Sequence, residues 1–69
     1  MSPVKWMLVP VGGEYYDLDR NNRRILTSVS QVEAEKFVRG KMRPGDVIQK
    51  TEKDGYITPW KIRSRAGVR

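Results

Sequence analysis

The sequence predicts a small α+β domain, an antiparallel sheet in the order β-β-β-α-β-β with one helix packed on one face. Three observations carry that reading. Short β-leaning apolar runs are punctuated by Gly and Asn turn signals, one helix opens on a capping sequence, and Asp54-Gly55 marks a late hairpin. The alternative is a small SH3-like or partly closed barrel with the same helix inserted. A chain of 69 residues holds one domain, assigned here to residues 1–62. Leu, Ile, Val and Phe make up 16 of the 69 residues, above the roughly one-fifth level below which chains fail to collapse.

The first strand is expected over Val4–Val11, where Pro3 and Pro10 disfavour a helix and Gly12-Gly13 ends the run. Tyr15–Asp19 and Arg24–Thr27 read as two more strands. Asn21-Asn22 lies between them, and Asn tolerates positive φ better than most residues. Residues 4–27 thus form a three-stranded meander. Ser30-Gln31-Val32-Glu33 then fits a capping box, and Ala34, Phe37, Val38 and Met42 recur at helical spacing. Gly40 and Pro44-Gly45 stop the helix, which is expected over roughly residues 31–41.

The remainder reads as a hairpin of Val47–Thr51 with Tyr56–Ile62 around Lys53-Asp54-Gly55. Pro59 has no N–H to donate, so the last strand is an edge. Arg63–Arg69 shows no apolar periodicity and is expected to be a flexible basic tail.

Cys and His are both absent. That removes disulfides, zinc fingers, haem attachment, Cys nucleophiles and His-based acid–base chemistry, and no cofactor or metal is expected. The apolar run Trp6–Val9 is too short for a signal peptide, and no stretch approaches the ~20 apolar residues of a membrane span. A soluble, cytoplasmic protein is expected.

Four motif-like stretches fail on inspection. Asp17-Leu18-Asp19-Arg20-Asn21 opens like an EF-hand loop, but Asn22 stands where Gly is needed and Ser28 where Glu is needed. Gly40-Lys41-Met42-Arg43-Pro44-Gly45 has P-loop glycine spacing, yet Asp46-Val47 replaces the required Lys-Ser/Thr and a strand follows. Ser2 and Lys5 have nucleophile spacing but lie in an extended terminus. Glu33 and Glu35 face apart on a helix, and capping already accounts for Glu33. No catalytic constellation is left, so the chain is expected not to be an enzyme.

Charge is the informative feature. The net charge is +6, and it is lopsided: residues 1–38 carry five cations and five acids, residues 39–69 nine cations and three acids. Such asymmetry suits a polyanion or an acidic partner. Arg39, Lys41 and Arg43 cluster at the helix end, where cations also complement the helix dipole. Lys50 and Lys61 lie on the hairpin beside Tyr56 and Trp60, and Arg63 and Arg65 continue from its last strand.

Basic β-surfaces interleaved with aromatics stack bases and hold phosphates, although large aromatics in so small a domain are often simply core. The leading expectation is a non-catalytic nucleic-acid-binding module, for DNA or RNA, engaging phosphates through these cations with Tyr56 or Trp60 as stacking platform. The alternative is a protein–protein adapter or inhibitor, of the kind phages use, docking on an acidic surface of the transcription or translation machinery.

Overall fold

Asn21 and Asn22 both adopt left-handed φ, 51° and 68°, and close a two-residue turn between β2 (Tyr15–Arg20) and β3 (Arg23–Ser30). This is the geometry that suits the right-handed twist of a hairpin. β1 (Lys5–Gly12) precedes them and pairs antiparallel with β2, completing the meander. The computed structural model describes residues 3–62, so the expected tail over residues 63–69 lies outside the described residues.

Helix α1 spans Gln31–Arg39, two residues shorter than expected. Ser30 caps it: the Glu33 amide donates to Ser30 Oγ at 3.1 Å, and the Ser30 hydroxyl lies 3.5 Å from Glu33 Oε1. Past the helix, the Lys41 and Met42 amides both donate to the Val38 carbonyl, at 2.9 and 2.7 Å. These bonds satisfy a terminal acceptor that the helix itself leaves unpaired.

The hairpin of β4 (Val47–Thr51) and β5 (Ile57–Pro59) also forms, with Gly55 at φ 96° in its turn. β5 is shorter than the expected Tyr56–Ile62 at both ends: the Glu52 amide donates to the Tyr56 carbonyl at 2.7 Å and places Tyr56 within the turn, and the strand ends at Pro59, past which the Trp60 amide still donates to the Ile48 carbonyl at 3.0 Å.

One expectation needs correction. The sheet order is β3-β2-β1-β4-β5, and β4 runs parallel to β1 rather than antiparallel to a neighbour in a continuing meander. The reason lies in the connection. β3 runs in the same direction as β1, and α1 carries the chain back along the sheet to its starting end. β4 must therefore leave in the same direction as β1, beside which it lies. The sheet is mixed and open, not closed into a barrel, with β3 and β5 at its edges.

The core lies between the sheet and α1. Trp6, Leu8 and Leu18 from β1 and β2 are buried with Ala34 and Val38 of the helix and with Trp60. Trp6 meets Phe37 edge to face, with ring centroids 6.4 Å apart. Among the described residues, no helix is long and apolar enough to cross a membrane.

Candidate nucleic-acid interface

Strand alternation decides which side chains share the helix side of the sheet. Trp6, Leu8 and Pro10 have one parity on β1. Their partners on β2 are Arg20, Leu18 and Tyr16, and those of Trp6 and Leu8 on β4 are Ile48 and Lys50. Lys50 pairs in turn with Thr58 of β5. The helix side therefore has two ends, one at Trp6 and Arg20 and the other at Pro10 and Tyr16. A cleft opens at each, about 13 Å apart at the ~3.3 Å rise of a strand residue.

The first cleft, of about 500 Å³, is lined by Trp6, Arg20, Lys41, Arg43 and Asp46 together with Pro3, Val4 and Pro44. Arg20 comes from the end of β2, and Lys41 and Arg43 from the loop that leaves α1. The Arg20 guanidinium lies 5.8 Å from the Trp6 ring centroid, and Lys41 Nζ lies 5.1 Å from that of Phe37. Both contacts are within cation–π range and hold the cations at the rim.

Asp46 is the one carboxylate among the described residues that line this cleft, and it is already committed. Its oxygens accept from the Val4 amide, the Trp6 indole N–H and the Arg43 amide, each at 3.1 Å. The Val4 amide, then the indole and the Arg43 amide, hold its carboxyl below the ordinary value, and the Arg20 charge acts in the same direction. Asp46 thus braces the loop, and the cleft keeps an excess of two positive charges.

The second cleft, of about 690 Å³, is lined by Pro10, Tyr16, Tyr56, Thr58 and a charged set of Lys50, Lys53, Glu52 and Asp54. These charges balance. Glu52 accepts from the Thr58 hydroxyl at 2.8 Å and lies 3.9 Å from Lys50 Nζ, while Asp54 accepts from the Tyr56 amide at 3.3 Å. Tyr56 is held by its backbone, yet 71% of the residue is exposed. This cleft is neutral and aromatic.

The residues singled out in the sequence separate accordingly. Lys41 and Arg43 come together in the first cleft, and Lys50 and Tyr56 in the second. Lys61 is exposed and lines neither. Arg39 belongs to the helix: it pairs with Glu35 at 3.6 Å, its side chain is mostly covered, and its Nε is buried. Trp60, 5% exposed, sits in the core, which leaves Tyr56 as the accessible one of the two aromatics. Arg63 and Arg65 lie outside the described residues.

Two residues escaped the sequence reading. Arg20 sits in the half of the chain whose charges cancel, and Tyr16 in a strand with no evident binding signal. Only the register Trp6↔Arg20 and Pro10↔Tyr16 brings them to the clefts.

The opposite face of the sheet differs in character. There Arg24 is bound to Asp17 and, at 2.5 Å, to Asp19, and Asp17 also accepts from the Ser28 amide at 2.9 Å. This cation is already neutralised. No group of three or more acidic side chains that could hold a metal ion occurs among the described residues. Comparison with protein-family models, curated proteins and solved structures finds no match to this chain.

Proposed function

We propose that the chain is a non-catalytic nucleic-acid-binding module whose phosphate contacts centre on Arg20, Lys41 and Arg43. The observation that carries this reading is a cleft edged by three cations whose single lining carboxylate is already bound to three N–H donors. A phosphate entering it meets guanidinium and ammonium donors without competition from an internal salt bridge. Lys50 is matched by Glu52 and adds little to this site, while Lys61, Arg63 and Arg65 add positive charge at the C-terminal end. Binding of this kind is mainly electrostatic, driven by counterion release.

The test is fluorescence anisotropy of a labelled oligonucleotide with the R20A/K41A/R43A variant and with an R23A/K36A control that removes exposed cations elsewhere. The expected result is a roughly ten- to hundred-fold weaker complex for the triple variant at physiological salt, and a much smaller change for the control. Equal losses for the two variants would reduce the cleft to a share of general surface charge.

A second reading, a protein adapter, has its own observation. Val47 and Ile57, 44% and 57% exposed, lie on the sheet face that the helix does not cover. Binding to an acidic protein but not to oligonucleotides would favour it.

A further inference from the structure

The two clefts of the helix side match the two parts of an unpaired nucleotide strand. We infer that the neutral cleft around Tyr16 and Tyr56 receives an unstacked base, so that the module binds single-stranded nucleic acid in preference to duplex. This rests on the reading of Arg20, Lys41 and Arg43 as the phosphate site.

The argument begins with charge. At the Pro10 end, Lys50 and Lys53 are matched by Glu52 and Asp54, so a phosphate gains little there. An uncharged planar group has no phosphate-like need of net positive charge there. The cleft offers such a group an aromatic surface: the Tyr56 ring is exposed, and it has no aromatic or cationic stacking partner among the described residues. Its main chain is fixed by the Glu52 and Asp54 hydrogen bonds, so little backbone ordering is required on binding. Every base has a π-face, so stacking here is tolerant of sequence.

Geometry supplies the selectivity. Both clefts lie on the same side of the sheet, with Lys50, opposite Leu8, between the Trp6 and Pro10 levels. Leu8, between the two levels, is buried in the core, so a strand with phosphates over Arg20, Lys41 and Arg43 would pass on the β4–β5 side, by Lys50 and Thr58, to lay a base against Tyr56. In a duplex the bases are paired and stacked inward, and turning one out costs a few kcal/mol. DNA and RNA single strands share this chemistry.

The experiment measures affinity for oligothymidylate, oligouridylate and a duplex of equal length at one salt concentration, with wild type, Tyr56→Ala, Tyr56→Phe and R20A/K41A/R43A. Single strands are expected to bind more tightly than duplex. Tyr56→Ala should weaken single-strand binding about five- to hundred-fold and leave duplex binding unchanged, while Tyr56→Phe keeps the wild-type affinity.

Thermal melts verify that the variants fold. If Tyr56→Ala binds single strands like wild type, or if duplex binds as tightly as single strand, the inference is overturned, while a triple variant weakened on all three probes leaves the phosphate site standing. If wild type binds none of the three at low salt, the phosphate site itself fails, and the base site with it.

Discussion

The cleft at the Trp6 end is built on a core tryptophan and a fully committed aspartate, whereas the cleft at the Pro10 end is built on turn residues around an exposed tyrosine. In the first, the groups that shape the site also hold the fold. Asp46 ties the loop after α1 to Val4 and Trp6, and the same loop carries Lys41 and Arg43. In the second, the charges cancel locally and the accessible ring contributes little to the core. Positive charge therefore resides where the scaffold is most tightly braced, and aromatic surface where it is least covered. A site for a charged ligand needs that bracing more, because an unbraced cation loses side-chain entropy on every contact.

The sharpest way to break the comparison is to remove the aromatic from each end. Trp6→Ala should cost about 3–5 kcal/mol through lost burial and the cavity left behind, a large share of the stability available to so small a domain. Tyr56→Ala, at an exposed position, should stay within about 0.5 kcal/mol of wild type. Urea unfolding followed by tryptophan fluorescence of Tyr56→Ala, and by circular dichroism for Trp6→Ala, measures both. Equal losses would mean that Tyr56 is as structural as Trp6.

The role of Asp46 sharpens the comparison through pH. Its folded carboxyl is held below the ordinary value by N–H donors. A depressed acid contributes stability that is present above the unfolded pKa and is lost as pH falls through the folded one. The urea midpoint should thus decline from about pH 4 downward, and Asp46→Ala should be less stable at neutral pH with a shallower acid decline. An Asp46→Ala profile parallel to wild type would show that the brace is unimportant.

The smallest expected effect separates Arg39 from its neighbours. Arg39→Ala removes an i,i+4 pair with Glu35, worth about 0.3–0.5 kcal/mol, and should leave oligonucleotide affinity within about twofold of wild type. A loss matching that of Lys41→Ala would extend the cationic site onto the helix itself.

Local chemistry made much of the fold legible. The Asn21-Asn22 turn, the Ser30 cap and the Asp54-Gly55 hairpin are each specified by a few adjacent residues, and each forms as read. The parallel pairing of β1 with β4 was not legible, because it depends on where α1 returns the chain and not on any residue in β4. The same limit applied to the site. Lys41 and Arg43 stood out because they are close in sequence, and Arg39 stood out for the same reason although its side chain turns to Glu35. Arg20 joins Lys41 and Arg43 only through strand register, across some twenty intervening residues, and it lies in the half of the chain whose charges cancel. Tyr56 and Trp60 are both candidate stacking platforms in the sequence, with Trp60 the more readily read as core; Tyr56, beside the turn, stands in the open, and Trp60, just past β5, is buried in the core.

The most direct test of the cationic cleft is the salt dependence of single-strand binding by wild type and by R20A/K41A/R43A. Each phosphate contact on a single strand contributes about 0.7 to the slope of log K against log salt. If all three cations hold phosphates, the slope should become shallower by about 2 in a variant that melts like wild type. An unchanged slope would contradict a phosphate site at Arg20, Lys41 and Arg43.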